Sequence, residues 1–134
     1  MNQPLFDKIK DCLKTYYPCI ELAIVFGSFA QSKERKNSDL DIALAAQEKL
    51  PIDLRISILN SISLLINRNV DLIDLNDVSG TILKEILVKG HVILKQDVLL
   101  YARIIYRMLV DEEDFQKQRR RLAQQQRKRI LNEL

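Results

Sequence analysis

Short apolar segments alternate along this chain with longer segments whose apolar residues recur at helical spacing. Short apolar runs bounded by polar residues are typical of buried strands, and the helical spacing is typical of amphipathic helices. The predicted strands are 20–26, 38–46, 70–75 and 92–94. The predicted helices are 4–16, 51–67, 77–88 and a long last helix that begins at Asp97. This order predicts an α/β fold of the α+β kind, in which a small mixed sheet of about four strands is flanked by helices.

Two helix ends carry more detailed predictions. Pro51 begins the second predicted helix, which has apolar residues at Ile52, Ile56, Leu59, Ile62 and Ile66. Gly90 follows the third predicted helix. Because glycine is the usual residue in the left-handed position after a helix, we expect Gly90 to adopt that conformation.

Length and composition exclude several classes of protein. The chain has 134 residues, enough for one domain with a substantial core, and no unbroken apolar run exceeds five residues. Such short runs exclude a transmembrane helix, and the charged residues at 7, 8, 10 and 11 interrupt the apolar segment of a signal peptide. Cys12 and Cys19 are too few for a disulfide framework or a zinc site. We therefore expect a cytoplasmic protein with reduced cysteines and no membrane partner.

Charge is distributed unevenly along the chain. Residues 1–114 contain 14 Lys or Arg and 17 Asp or Glu, a net charge of −3, whereas residues 115–134 contain seven basic residues and Glu133, a net charge of +6. This asymmetry predicts a domain at 1–110 followed by a basic helical tail at 111–134. Such a tail is typical of binding to a polyanion or to an acidic protein surface, and a solvated helix is an equal alternative.

The second predicted strand carries two closely spaced carboxylates, Asp39 and Asp41. Side chains two residues apart on a strand share a face at about 7 Å spacing, so their oxygens can converge to about 4 Å. At an effective dielectric constant near 20, two charges at that distance repel by about 4 kcal/mol. A cation or a shared proton relieves this repulsion, and carboxylate oxygens suit Mg²⁺ or Mn²⁺.

A third carboxylate is available on the strand 70–75, which contains Asp71 and Asp74. The two residues are three positions apart and therefore point to opposite faces, so only one of them can join Asp39 and Asp41. We favour Asp71, near the start of the strand. Asp74 is then expected to belong to the strand end or to the loop that follows.

A glycine-serine pair, Gly27-Ser28, ends the first predicted strand. Glycine permits close backbone approach and unusual dihedral angles, and the Ser28 hydroxyl with backbone N–H groups at the start of a short helix can hold phosphate oxygens. A glycine-serine turn after a strand and an Asp-x-Asp pair on a strand are each common by themselves. A phosphate-binding turn beside paired carboxylates, however, is typical of metal-assisted phosphoryl or nucleotidyl transfer.

The same residues carry a family resemblance. The chain resembles the nucleotidyltransferase superfamily with a DNA polymerase β-like palm. The resemblance lies in Gly27-Ser28, followed after ten residues by Asp39-Leu40-Asp41. The short length and the later Asp71 resemble the minimal nucleotidyltransferases, the antitoxin halves of HEPN/MNT toxin–antitoxin pairs. The resemblance covers about residues 5–110. It implies a polymerase β-like nucleotidyltransferase fold, here with a long C-terminal helix.

The resemblance also implies roles for individual residues. Asp39 and Asp41 would bind two Mg²⁺ ions, with Mn²⁺ as a substitute, and Asp71 would complete one metal site close to the attacking hydroxyl. The nucleotide-binding residues would be Gly27, Ser28, Ser38 and Lys33. ATP would be the donor, and a tyrosine hydroxyl of a HEPN ribonuclease toxin would be the acceptor. Transfer of AMP to that hydroxyl would silence the toxin.

The chain departs from the family pattern at Gln31-Ser32, where many relatives have Arg-Gly. The missing glycine stiffens the turn, and the missing arginine removes a phosphate contact that Lys33, Arg35 or Lys36 could replace. Two other functions stay open. The chain could neutralise a partner by contact through its C-terminal helix with an inactive site, or it could bind nucleic acid through its basic tail.

Overall fold

The computed structural model describes residues 3–133, without the side chains of residues 112–115. In chain order the elements are α1 (Gln3–Lys14), β1 (Leu22–Phe26), β2 (Leu40–Ala45), α2 (Ile52–Ile66), β3 (Val70–Asp74), a 3-10 helix (Leu75–Asp77), α3 (Gly80–Lys89), β4 (His91–Lys95) and α4 (Val98–Glu133). The predicted order of strands and long helices is confirmed.

The four strands form one mixed sheet in the order β3-β2-β1-β4. β1 lies antiparallel to both of its neighbours, whereas β2 and β3 are parallel. A parallel pair needs a crossover connection, and α2 supplies it. The registers place Phe26 opposite Asp41 and Asp41 opposite Asp71, at one end of the central strands.

Alternate side chains of the central strands enter two separate cores. One core, against α1 and α2, contains Ala23, Val25, Leu40, Ile42, Leu44, Ile9, Leu13, Ile58 and Ile62. The other core, against α3 and α4, contains Leu22, Ile24, Ala43, Ala45, Leu83, Ile86, Leu100 and Ile104. Because both faces of the sheet are covered, β1 and β2 are apolar at almost every position. The exception is Asp41, which shares the α3/α4 face with Ala43.

Burial within α2 differs from what the apolar spacing suggested. Ile58 and Ile62 are fully buried, whereas Ile52 and Ile56 are largely exposed. Apolar residues occur nearly all round this helix, so their spacing did not distinguish the packed side from the free side. The contact with α1 and the sheet decides which residues are buried.

Gly90 ends α3, but the predicted left-handed conformation is wrong: its φ is −74° and its ψ is 160°. A Cβ atom at this position would overlap the carbonyl oxygen of Ile86 and a methyl group of Ile24. Glycine is therefore required both by the last turn of its own helix, at the Ile86 carbonyl, and by the approach of α3 to β1. Asn67, at the end of α2, has the left-handed conformation instead.

The last helix, α4, has 36 residues and is about 54 Å long. Leu100 and Ile104 attach its first half to the sheet, and Arg107 donates hydrogen bonds to the carbonyl oxygens of Leu75 and Val78. Every residue from 116 to 133 is exposed. The helix passes residue 110 without a break, and the division into 1–110 and 111–134 stays a prediction. Within residues 3–133, the helices are too short or too polar to cross a membrane.

Candidate active site

Three carboxylates lie together at one end of β2 and β3. Asp41 is on β2, Asp39 is two residues before it, and the parallel register places Asp71 beside Asp41 on the same face of the sheet. The pKa of the Asp41 carboxyl is raised, first by its burial and then by the negative charges of Asp71 and Asp39. The three groups are therefore close enough to repel one another.

Asp74 lies outside this cluster. Its side chain is fully buried, and its Oδ1 and Oδ2 atoms accept hydrogen bonds from the backbone N–H groups of Asn76, at 2.9 Å, and Leu50, at 2.8 Å. These bonds join the end of β3 to the loop before α2. Asp71 and Asp74 point to opposite faces, as the sequence predicted, and it is Asp71 that lies beside Asp41.

The Gly27 turn passes directly against the Asp41 carboxylate. The φ angle of Gly27 is +71°, a left-handed conformation that side chains disfavour. A Cβ atom on Gly27 would overlap Oδ2 of Asp41 and lie 3.1 Å from its Cγ atom. The absence of a side chain therefore keeps open the space between the turn and the carboxylate.

The expected short helix after Ser28 is wrong, since residues 27–32 form hydrogen-bonded turns. The N–H groups of Gln31 and Lys33 donate to the carbonyl oxygens of Gly27, at 3.3 Å, and Ser28, at 2.8 Å. Ser32, with a φ of 55°, is left-handed and ends the turn before a helix can extend. A left-handed φ favours glycine, so the serine at this position carries backbone strain.

Ser38 and Lys33 occupy different surroundings. The Ser38 hydroxyl accepts a hydrogen bond of 2.6 Å from the N–H of Arg35, and the Ser38 N–H donates to the Arg35 carbonyl at 3.0 Å. Ser38 thus closes the turn that leads into Asp39. Lys33 is exposed, at the end of the Gly27 turn. Nucleotide contacts of Gly27, Ser28, Ser38 and Lys33 stay predictions.

One residue that the sequence gave no reason to select, Arg68, links the two halves of the motif. Its guanidinium donates to the carbonyl oxygens of Arg35, at 3.0 Å, and Ser38, at 3.1 Å, and lies 5.1 Å from the centre of the Phe29 ring. Phe29 follows Ser28, and Ser38 precedes Asp39. Arg68 therefore holds the glycine turn and the segment before the carboxylates in a fixed relation.

An open cleft of about 520 Å³ adjoins Asp39. It lies between the segment 36–39 and the end of α2, and its lining includes Lys36, Ser38, Asp39, Ser63 and Arg68. Cations, hydroxyls and a carboxylate line it together with apolar surface that includes Leu64. The cleft therefore gives a ligand access to Asp39, whereas Asp41 and Asp71 do not line it.

The carboxylates fit a hard divalent cation as a donor set, although they do not form a closed cage. Among residues 3–133, no three His, Cys, Asp or Glu side chains converge closely enough to hold a metal ion by themselves. Mg²⁺ commonly takes only one or two carboxylates and completes its shell with water and substrate phosphates. Asp41 with Asp39 or Asp71, beside an open glycine turn, is such a partial site.

Comparison with known proteins identifies the family. The family model of the polymerase beta nucleotidyltransferase domain matches residues 7–98. The chain belongs to the polymerase beta nucleotidyltransferase family. This nucleotidyltransferase is 30% identical over 104 residues to the protein adenylyltransferase MntA of Shewanella oneidensis, an alignment that covers 76% of this chain and 75% of the relative. The resemblance found in the sequence is confirmed.

Solved structures show the same fold. A chain in a crystal structure of a toxin–antitoxin with AMP-PNP matches with a TM-score of 0.74 and 22% identity, over 90% of this chain and 96% of the other. A chain in the structure of a tri-AMPylated Shewanella oneidensis HEPN toxin in complex with an MNT antitoxin matches with a TM-score of 0.71 and 21% identity, over 93% and 98%. The nucleotidyltransferase fold therefore extends through most of the chain, including much of α4.

Proposed function

We propose that this nucleotidyltransferase is an antitoxin that transfers AMP from ATP to a tyrosine hydroxyl of a HEPN ribonuclease toxin in the cytoplasm. The observation that carries the proposal is the close approach of the Gly27 turn to Asp41, with Asp39 two residues before it and Asp71 opposite it on β3. The similarity to a protein adenylyltransferase supports AMP as the transferred group. The similarity to chains from toxin–antitoxin complexes supports a HEPN partner.

Each residue of the site has a task in this reaction. Asp39 and Asp41 would hold two Mg²⁺ ions, or Mn²⁺ in their place, which when bound neutralise the triphosphate charge and make the acceptor hydroxyl more acidic. The backbone at Gly27 and the Ser28 hydroxyl would hold phosphate oxygens. Asp71 would complete one metal site and accept the tyrosine proton. The tyrosine oxygen bonds to the α-phosphorus, the bond from that phosphorus to the β-phosphate bridge breaks, and pyrophosphate leaves.

The position of the label in ATP tests this reaction. The purified chain, Mg²⁺ and its HEPN toxin partner would be incubated with ATP labelled in either the α- or the γ-phosphate. We expect label on the partner from the α-phosphate alone. Asp41→Asn should abolish labelling, whereas Asp53→Asn, a control at an exposed position in the first turn of α2, should retain it. Label from the γ-phosphate, or transfer by Asp41→Asn, would contradict the proposal.

A second candidate function is neutralisation by contact alone, and the full exposure of residues 116–133 favours it. In that case Asp39→Ala with Asp41→Ala would still neutralise the toxin. Deletion of residues 115–134 would abolish neutralisation. Loss of neutralisation in the Asp39→Ala/Asp41→Ala variant supports AMP transfer.

A further inference from the structure

Among the residues of α4 whose side chains the structure describes, one face is exposed along most of the helix. In the half beside the sheet this face carries the apolar residues Leu99, Ala102, Tyr106 and Leu109. In the distal half the same face carries the cations Lys117, Arg120, Arg121, Arg127 and Lys128. At about 100° per residue, both sets fall within one sector of roughly 120° around the helix axis. We call this sector the bipartite face.

The apolar half borders a groove that is already formed. Leu99 is 75% exposed and Tyr106 is 70% exposed, and with Gln47 they line a groove of about 620 Å³. The polar groups at its edge are fixed: Arg103 donates to the side-chain Oε1 of Gln47 at 2.5 Å, and the Gln47 Nε2 donates to the Asp97 carboxylate at 2.6 Å. A rigid, exposed apolar surface of this kind indicates a binding site for another molecule.

The basic half requires an anionic counterpart. Residues 116–132 include seven Lys or Arg and no carboxylate, and all of them are exposed. At 1.5 Å per residue, the bipartite face extends about 44 Å from Leu99 to Lys128. The centres of its apolar and basic halves are separated by roughly 28 Å. A ligand that covers the whole face must therefore be large, with an apolar surface at one end and a negatively charged surface at the other.

We propose that the bipartite face docks a second protein whose contact surface combines an apolar strip with a cluster of carboxylates. The proposal rests on the proposed function, because this second protein is the acceptor of AMP. The location agrees with that role: α4 packs against Ala43 and Ala45, on the face of the sheet to which Asp41 points. A protein bound along α4 therefore lies on the side of the sheet that holds the carboxylates.

Other occupants of the face fit less well. In a parallel pair of α4 helices the cations of both copies would face each other, and in an antiparallel pair the cations would face apolar residues. A second copy is therefore unfavourable. Nucleic acid would complement the basic half and leave Leu99 and Tyr106 exposed to water.

Two matched pairs of variants test the face. Leu109→Glu and Arg120→Glu lie on it. Their controls are Leu122→Glu and Arg129→Glu, which replace exposed residues of the same types on the same helix. Around the helix axis, Leu122 lies about 140° from Leu109, and Arg129 lies about 180° from Arg120. Affinity for the HEPN toxin partner would be measured by titration calorimetry, with circular dichroism to check helicity. We expect each variant on the face to weaken binding about tenfold or more, and each control to change it less than about twofold.

The effect of Arg120→Glu should shrink at high salt, because exposed charge pairs are screened, whereas the effect of Leu109→Glu should persist. Equal weakening by a variant and its control, or the absence of a complex, would overturn the proposal. Binding that nuclease treatment abolishes and Leu109→Glu leaves unchanged would assign the face to nucleic acid and also overturn it. A complex that forms through this face without AMP transfer would refute the proposed function alone.

Discussion

The closest approach within the site gives the sharpest prediction, which concerns Gly27→Ala. An alanine at a φ of +71° would adopt a left-handed conformation, which costs about 1–2 kcal/mol for a residue with a Cβ atom. The lower conformational entropy of unfolded alanine offsets about 0.5–1 kcal/mol of that cost. The new methyl group would also overlap Oδ2 of Asp41 and force the carboxylate to move. We therefore expect a modest loss of stability together with a severe loss of activity.

Gly80→Ala separates these two effects. Gly80 has a φ of +61°, nearly the same as Gly27, but a Cβ atom there would meet nothing within 4 Å. Gly80→Ala should therefore lower the free energy of unfolding by about 1 kcal/mol, or the melting temperature by roughly 3–5 °C, with activity retained. Gly27→Ala should lose at least that much stability.

The assay is AMP transfer to the partner, measured beside thermal unfolding for both variants at saturating Mg²⁺ and ATP. Displacement of a carboxylate by about 1 Å is enough to reduce the rate about a hundredfold, so we expect a loss of that size for Gly27→Ala alone. Equal activity in the two variants would refute the argument that Gly27 leaves room for the Asp41 carboxylate.

Three further predictions follow from the site. Asp71→Ala should reduce the rate of AMP transfer about a hundredfold without loss of stability. Asp74→Ala should lower the free energy of unfolding in urea by about 2–4 kcal/mol, because two backbone N–H groups lose their acceptor. The pKa of Asp41 is raised in the fold, so the free energy of unfolding of the wild type should fall as pH rises through that pKa. Asp41→Asn should abolish this decline and also abolish AMP transfer. A wild-type free energy of unfolding that does not change with pH in this range would contradict the prediction. Arg68→Lys should lower kcat for transfer about tenfold, since lysine lacks the planar fork. Arg55 forms an ion pair with Asp77 and serves as the control arginine, so Arg55→Lys should leave kcat unchanged.

Much of the fold was predictable because its signals are local. Apolar runs bounded by polar residues identified the strands, and Asp39 and Asp41 stood out because two carboxylates so close on one strand are unfavourable without a cation. The alternation of side chains along a strand showed that only one of Asp71 and Asp74 could join them, and the place of Asp71 near the start of the strand favoured it. These inferences required only neighbours in sequence.

The features that escaped prediction depend on contacts between distant segments. Gly90 is required by the approach of α3 to Ile24 on β1 as well as by the nearby Ile86 carbonyl, and not by a left-handed φ. Arg68 gains its role from Phe29 and Ser38, which lie 30 or more residues before it. The free side of α2 could not be distinguished from its packed side, because apolar residues occur on both.

Mass spectrometry of the HEPN partner tests the central claim most directly. The partner would be incubated with ATP, Mg²⁺ and either the wild-type chain or the Asp39→Ala/Asp41→Ala double variant, and its intact mass and modified residue would be determined. We predict a mass increase in AMP units, located on a tyrosine and absent with the double variant. An unchanged mass in a partner that is nevertheless bound and neutralised would contradict AMP transfer and show that contact alone suffices.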